Sequence, residues 1–258
     1  MLNFHPSKNL PPATSGIIHR SRLLRRLQEN EDHRLIVILG QAAQGKSTLA
    51  ASFAQASNLH SAWINLGPED ESAVNLYYAS VSGLSLVLDA ERVAFLLHYP
   101  ASQLGPREPE ALYGDWVSAL FSEVNPSIRI IFDGLDRLAD GSDAFRFLRV
   151  MLDTAPANIK FMLLSRKEPP FALHDWKIKQ QACILSNKNL AFTYQETRSF
   201  LRQHVGASCD EEHVRKAWQS TEGWVGGLVL LSQVLRNADD SDSDRQRIRG
   251  LPDRFQAE

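Results

Sequence analysis

One stretch constrains this chain more than any other: an apolar run at residues 35–39 leads directly into a loop bracketed by glycines. The loop follows the pattern Gly-x-x-x-x-Gly-Lys-Ser and comprises residues 40–47. Gly40 and Gly45 let the backbone turn and approach an anion closely. A helix that starts at Lys46 would point its free amides at that anion. The order of strand, loop and helix therefore predicts a phosphate-binding loop in an α/β fold.

Each residue type in this loop has a chemical role. The Lys46 ammonium is expected to reach the β- and γ-phosphates of a nucleotide, which makes it a catalytic as well as a binding residue. The Ser47 hydroxyl is the expected Mg²⁺ ligand from the loop. The predicted nucleotide-binding residues of the loop are Gly40, Gln44, Gly45, Lys46, Ser47 and Thr48.

A second apolar run, at residues 128–132, ends in the carboxylate of Asp133. The carboxyl ends of parallel strands open onto the ligand crevice, so we expect Asp133 beside the phosphate-binding loop. There it would hold Mg²⁺, through water, because Mg²⁺ retains much of its hydration. Asp136 is predicted to orient or deprotonate the attacking water. The structural alternative for both residues is helix capping.

A third apolar run, at residues 159–164, ends in Ser165 and Arg166. An arginine at this rim offers a planar fork of donors to phosphate oxygens, so Arg166 is a candidate catalytic residue that reads the γ-phosphate. The alternative is a surface arginine at the start of a loop. Lys167 is expected to be solvated.

The remaining pattern divides the chain into four parts. Further strands are expected within residues 61–66 and 180–185, and Pro100, Pro106 and Pro109 predict a loop over residues 99–109. No strand pattern recurs after about residue 190, so the predicted fold is a parallel β-sheet flanked by helices, followed by a small all-α domain. The predicted parts are an N-terminal arm and helix that contribute to the nucleotide site (1–30), the nucleotide-binding domain (31–190), a helical domain (191–238), and a charged linker or start of a following domain (239–258).

Bulk composition excludes several classes of protein. The 28 Lys and Arg against 30 Asp and Glu leave no basic surplus, so direct nucleic-acid binding by this portion is not expected. No apolar run approaches the ~20 residues of a membrane-spanning helix, and the polar N-terminus is no secretory signal. The cytoplasm is therefore the expected compartment. The two cysteines, Cys183 and Cys209, are too few for a disulfide framework or a four-cysteine zinc site.

Taken together, the motifs resemble the STAND class of signal-transduction ATPases, and in particular the N-terminal ATPase region of the maltose-activator and LuxR-type large transcriptional regulators. The resemblance covers nearly the whole chain. Residues 17–20 are similar to the upstream hydrophobic-Gly-Arg element, with His19 in place of glycine. Residues 163–166 resemble the sensor motif, and residues 221–228 the Glu-Gly-Trp segment of the helical domain. Asp133-Gly134-Leu135-Asp136 is closer to the NACHT-type form.

This resemblance implies a switch that binds ATP and ADP with Mg²⁺ and hydrolyses ATP slowly. Arg20 would lie near the adenine nucleotide. The ADP form would be closed and inactive, and ATP exchange coupled to an unknown inducer would open it for self-association. A winged-helix domain, a helical-repeat sensor and an effector usually follow. They cannot fit in 258 residues, so a fragment or a short relative is expected.

Three other interpretations remain open. A nucleotide-binding interaction module with negligible turnover shares every motif above, and a small-molecule kinase shares the phosphate-binding loop. A GTPase is suggested only by residues 187–190, Asn-Lys-Asn-Leu, which lack the aspartate of a guanine-reading element. Ser-His-Asp and metal-dependent hydrolases have little support, because neither Gly-x-Ser-x-Gly nor His-Glu-x-x-His occurs.

Overall fold

The computed structural model of the protein describes residues 6–102, 108–122, 124, 126–206 and 209–239. Its centre is a five-stranded sheet in the order β2-β3-β4-β1-β5, and every pair of neighbouring strands is parallel. The strands are β1 (Leu35–Leu39), β2 (His60–Asn65), β3 (Ile128–Asp133), β4 (Ile159–Ser165) and β5 (Ala182–Leu185). The sheet confirms the predicted parallel α/β fold.

Helices cover both faces of the sheet and continue beyond it. They are α1 (Ser21–Glu29), α2 (Lys46–Ala56), α3 (Ala73–Leu84), α4 (Ala90–Ser102), α5 (Pro109–Phe121), α6 (Asp143–Thr154), α7 (Leu173–Ile178), α8 (Asn187–Leu190), α9 (Tyr194–His204), α10 (Glu211–Thr221) and α11 (Val225–Asp239). A sheet buried on both faces explains why its strands are continuous apolar runs.

Alternate residues of β1 belong to different cores, as the two-residue period of a strand requires. Leu35 and Val37 lie in the larger apolar cluster, with residues of α3, α5 and α6. Ile36 and Ile38 lie in the cluster formed with α1 and α2. Both faces of the sheet are therefore covered by packed helices.

The strand register brings the carboxyl ends of β1, β3 and β4 together. Leu39 is opposite Ser165, and Asp133 is opposite Leu164. Two hydrogen bonds continue this edge into the loops: Gly40 N donates to Ser165 O at 3.1 Å, and Gly134 N donates to Leu164 O at 3.1 Å. The loops that carry the predicted site residues therefore begin side by side.

Helices α9 to α11 enclose a third apolar cluster, which includes Phe192, Phe200 and Leu228. Thr193 caps α9 by accepting from Glu196 N, and Glu196 accepts in return from Thr193 N. Asp210 caps α10. This all-helical portion confirms the predicted fold class.

Some local expectations were wrong or lie outside the described residues. Helix α4 continues through Pro100 to Ser102, where the prolines predicted a loop. The N-terminal arm contains a 3₁₀ turn, Pro6–Asn9. Of the predicted charged linker, residues 240–258 lie outside the described part of the chain. Within that part, none of the helices is long and apolar enough to cross a membrane.

Candidate functional site

The phosphate-binding loop depends on backbone conformations that its sequence makes accessible. Gly45, the N-cap of α2, has φ +80°, in the left-handed region that favours glycine. Ala43 shares that region with φ +54°, which is unusual for a residue with a side chain. A Cβ on Gly40 would lie 2.6 Å from Leu190 Cδ1, so a larger residue here would require the Leu190 side chain on α8 to move. The loop is thus closed around the start of α2.

Lys46 is folded back onto its own loop. Its Nζ donates to Gly40 O at 2.6 Å and to Gln41 O at 2.9 Å. Burial lowers the pKa of Lys46, and the negative charges of Asp136 and Asp133 oppose that shift. The ammonium therefore lies at the mouth of the loop, within the field of both predicted acidic residues.

Asp133 and Ser47 lie next to each other at the carboxyl end of the sheet. Burial raises the pKa of Asp133, while a hydrogen bond with Ser47 and the charge of Lys46 oppose the increase. Carboxylate and hydroxyl oxygens are suitable ligands for Mg²⁺, so the donor set fits this ion. No cluster of three or more His, Cys, Asp or Glu residues suited to a metal occurs among the described residues. A bound Mg²⁺ would therefore need nucleotide phosphate oxygens and water as its remaining ligands.

Asp136 and Arg166 form a pair rather than two independent groups. One carboxylate oxygen of Asp136 accepts from Arg166 N at 2.9 Å. The other lies 3.3 Å from Arg166 Nε. The predicted water-orienting carboxylate thus holds the predicted γ-phosphate sensor. Lys167 points elsewhere, since its Nζ donates to Asp140 at 2.9 Å.

A cavity of about 260 Å³ begins at Gly45 and the first turns of α2 and extends toward the helical portion. Most of its wall is apolar. Residues from four separate parts of the chain line it: Gly16, Ile17, Ile18, Arg20, Leu24, Gly45, Thr48, Leu49, Ser52, Phe192, Phe200, His204, Val225 and Val229. A concave, mostly apolar cavity with a few polar groups is the usual form of a small-ligand site.

Arg20 is the charged group in this wall. Its side chain is only 7% exposed and its guanidinium lies 4.7 Å from the centroid of the Phe192 ring. Nη2 donates to Leu190 O at 2.7 Å, whereas Nε and Nη1 are buried without a partner. Burial lowers the pKa of Arg20, and the nearby Glu196 carboxylate opposes this effect. Arg20 therefore retains unused hydrogen-bonding capacity beside the cavity.

Gln44 carries a further unsatisfied polar atom. Its side chain is 2% exposed, and its Oε1 is buried without a hydrogen-bond partner. Thr48 lines the cavity from the first turn of α2. The structure thus brings Lys46 near Asp133, Asp136 and Arg166, and it places Arg20 in the wall of the cavity that adjoins the loop.

Comparisons with known proteins agree with this arrangement. The chain is 24% identical over 250 residues to the HTH-type transcriptional regulator MalT of Serratia proteamaculans, and 24% identical over 251 residues to MalT of Klebsiella pneumoniae. Each alignment covers 95% of this chain and 27% of the regulator. The chain therefore spans about a quarter of the length of these curated relatives. No protein-family model matches it.

Solved structures show the same fold. A STAND protein with a tetratricopeptide repeat sensor from Pyrococcus horikoshii matches 83% of this chain and 29% of its own, with a TM-score of 0.58 and 17% identity. A Walker-type ATPase of Pyrococcus abyssi matches 93% of this chain and 74% of its own, with a TM-score of 0.58 and 19% identity. The chain resembles STAND-class P-loop ATPase modules. This confirms the resemblance inferred from its motifs.

Several residues of this STAND-like site have no signal in the sequence pattern. Asn187 Oδ1 accepts from Gln41 N at 3.2 Å and so supports the loop from α8. Phe192, Phe200 and His204 contribute to the cavity wall. Only their position just after the last strand could have suggested them, because no spacing rule links them to the loop.

Proposed function

We propose that this chain is an ATP- and ADP-binding switch module of a larger regulator, which hydrolyses ATP slowly with Mg²⁺. The observation that carries the proposal is the convergence of Lys46, Ser47 and Asp133 at the carboxyl edge of the sheet. The MalT relatives and the STAND and Walker-type neighbours support the general part of this proposal, a nucleotide-binding regulatory ATPase module.

The adenine base would lie in the apolar cavity and the phosphates along the loop. Lys46 would exchange the carbonyls of Gly40 and Gln41 for phosphate oxygens. Arg20, with two free donors at the cavity wall, would contact the nucleotide. Ser47 and Asp133 would hold Mg²⁺, which supplies neutralisation of phosphate charge when bound.

The Asp136 and Arg166 pair suits a switch. In the proposed ATP state, Arg166 turns to the γ-phosphate and releases Asp136 to orient water. ADP offers no γ-phosphate, so the pair persists. Because Arg166 would contact ATP and not ADP, ATP and ADP would favour different conformations of the protein. A ligand-driven conformational change requires such a difference in affinity.

The output of the switch would come from other parts of the regulator. Since the MalT relatives are named transcriptional regulators, we propose transcription as the process controlled and the cytoplasm as the compartment. Self-association in the ATP state and an unidentified inducer belong to the same proposal, as does the absence of direct nucleic-acid contact by this portion.

A second function is favoured by one observation. Both carboxylate oxygens of Asp136 contact Arg166, so the carboxylate is directed at the arginine in this conformation. A nucleotide-binding module with negligible turnover would not need a carboxylate that activates water. Phosphate release at saturating ATP separates the two functions, with an Asp136→Asn variant as the blank for contaminating activity.

Thermal unfolding with and without Mg²⁺-ATP or Mg²⁺-ADP tests the binding itself. A ligand at 100 times its Kd adds about 2.7 kcal/mol to the free energy of unfolding. For a chain of this size the Tm should rise by roughly 5 to 10 °C. Lys46→Ala should abolish the increase. The matched control is Lys167→Ala, because the Lys167 ammonium pairs with Asp140. This variant should retain the increase in Tm. An unchanged shift in Lys46→Ala would refute the site.

A further inference from the structure

His204, the last residue of α9, lines the cavity. Its Nδ1 lies 2.9 Å from Phe200 O, one turn earlier, and its ring stacks on Phe200 with centroids 4.2 Å apart. A carbonyl oxygen only accepts, so the neutral imidazole must carry its proton on Nδ1. Nε2 is then a hydrogen-bond acceptor, and it has no partner among the described residues.

The other polar groups of the wall differ from this nitrogen. Arg20 can only donate. The hydroxyls of Thr48 and Ser52 can both donate and accept, but they lie on α2 beside the phosphate-binding loop, and the Ser52 hydroxyl donates to Thr48 O at 2.9 Å. Within the wall that the structure describes, His204 Nε2 is the one acceptor nitrogen on a side chain, and the stacked ring holds it in a defined orientation.

Purine bases differ in what they present at position 6. Adenine carries an amino group, which donates, whereas guanine and hypoxanthine carry a carbonyl oxygen, which accepts. An acceptor that faces an amino group makes a hydrogen bond. An acceptor that faces a carbonyl oxygen leaves both groups unsatisfied, and such a mismatch is costly in a desolvated site.

We propose that Nε2 of His204 accepts a hydrogen bond from the 6-amino group of adenine, and that this contact makes the site prefer adenine over 6-oxopurine nucleotides. The inference rests on the proposed function, since it requires a nucleotide base in this cavity. His204 thereby determines specificity from α9, outside the phosphate-binding loop. Recognition of the base also ties the helical portion to the nucleotide.

Competition binding in Mg²⁺ buffer tests this with three 5′-triphosphates: ATP, inosine triphosphate with a 6-oxo group, and purine riboside triphosphate with hydrogen at position 6. Wild type should bind ATP about threefold to tenfold more tightly than purine riboside triphosphate, the value of one net hydrogen bond. Inosine triphosphate should bind more weakly still. The His204→Phe variant can still form the aromatic stack. Its affinity for ATP should fall to its affinity for purine riboside triphosphate.

Two variants make the experiment specific. His204→Gln supplies an amide oxygen as acceptor and should restore part of the preference for ATP. His98→Phe is the matched control, because His98 Nδ1 makes the same bond within its helix, to Ala94 O at 2.8 Å, outside the cavity wall. It should leave all three affinities unchanged.

The contrary outcomes are distinct. If His204→Phe weakened the three triphosphates equally, the ring would only support the fold and the inference would fail. If wild type bound all three equally well, the site would not recognise the group at position 6, although it would still bind nucleotides. Absence of any binding by wild type would refute the proposed function together with the inference.

Discussion

The indole nitrogen of Trp224 donates a hydrogen bond to the carbonyl oxygen of Ala42, 182 residues earlier in the chain, at 3.0 Å. Next to it, a Cβ on Gly226 would lie 2.8 Å from Ala43 Cβ, so the two backbones are in close contact. The start of α11 therefore rests on the phosphate-binding loop. A change of loop shape on nucleotide binding would be transmitted directly to the helical portion.

The Trp224→Phe variant should weaken nucleotide binding. It leaves the Ala42 carbonyl without its partner and loosens a loop that holds Ala43 in the left-handed region. The value of one net hydrogen bond predicts a loss of affinity for ADP of about twofold to tenfold. Titration calorimetry with Mg²⁺-ADP measures it directly.

Trp218→Phe is the control for that prediction. The Trp218 indole also donates to a carbonyl, Phe192 O at 3.1 Å, but this bond stays within the helical portion. Its removal should affect ADP affinity less than Trp224→Phe does. Equal losses in the two variants would mean that the helical portion is merely destabilised and that contact with the loop has no separate effect.

Asp133→Asn should stabilise the nucleotide-free protein while it impairs Mg²⁺-dependent binding. Burial raises the pKa of Asp133, so at neutral pH its charge opposes folding. The amide removes that charge, and the Tm should rise by a few degrees at neutral pH. This gain should disappear as the pH falls below the ordinary carboxyl range, because the wild-type group is then protonated in both states.

The companion measurement is nucleotide affinity with and without Mg²⁺. Asp133→Asn should reduce the difference that Mg²⁺ makes, since one of the two predicted protein ligands is lost. Asp136→Asn should leave this difference nearly intact and lower phosphate release instead. If both variants changed affinity equally, the two carboxylates would not have the separate roles proposed for them.

The sequence was sufficient to predict the sheet and the loop because both are local patterns. A buried parallel strand is a short apolar run, and residues 40–47 bring their glycines and lysine together by sequence alone. The carboxyl-edge position of Asp133 followed from the rule that parallel strands share one edge. These inferences needed no knowledge of distant contacts.

The pairing of Asp136 with Arg166 could not be predicted in the same way. Each residue was assigned a role from its strand end, but whether two neighbouring side chains face a ligand or each other depends on rotamers. The continuation of α4 through Pro100 shows a similar limit. Proline disfavours a helix interior, yet near the end of a helix few hydrogen bonds are lost. The cavity, built from four distant segments, has no local pattern at all.

Arg166→Ala should reduce affinity for ATP selectively. If the guanidinium leaves Asp136 for the γ-phosphate, its loss costs a charge-assisted contact of roughly 1.5 to 3 kcal/mol. Affinity for ATP should then fall about tenfold to a hundredfold, while affinity for ADP stays within a factor of about three. Titration of both nucleotides against wild type and variant supplies the numbers.

Lys167→Ala is the matched control, as this neighbouring cation pairs with Asp140 and not with Asp136. It should change neither affinity. A parallel fall of ATP and ADP affinity in Arg166→Ala would assign the arginine to the fold or to the shared diphosphate. The γ-phosphate sensor would then have to be another residue.

Gly223→Ala should destabilise the helical portion, where the turn before α11 packs against the backbone of Phe192. Gly223 has φ +77°, and an added Cβ would lie 2.3 Å from Phe192 O and 2.8 Å from Phe192 N. The same two residues share a hydrogen bond, from Phe192 N to Gly223 O at 2.8 Å. The clash acts on backbone atoms, which cannot rotate away as a flexible side chain can. The free energy of unfolding in urea should fall by about 1 to 3 kcal/mol.

Gly141→Ala separates the clash from backbone strain. Gly141 has a similar φ of +78°, but nothing lies within 4 Å of its added Cβ. This variant suffers only the strain of the left-handed region, so its loss of stability should be smaller than that of Gly223→Ala. Because Phe192 lines the cavity, Gly223→Ala should also reduce the increase of Tm produced by nucleotide, whereas Gly141→Ala should not. Equal losses of stability in the two variants would show that the chain relaxes around Gly223 and that its contact with Phe192 is not decisive.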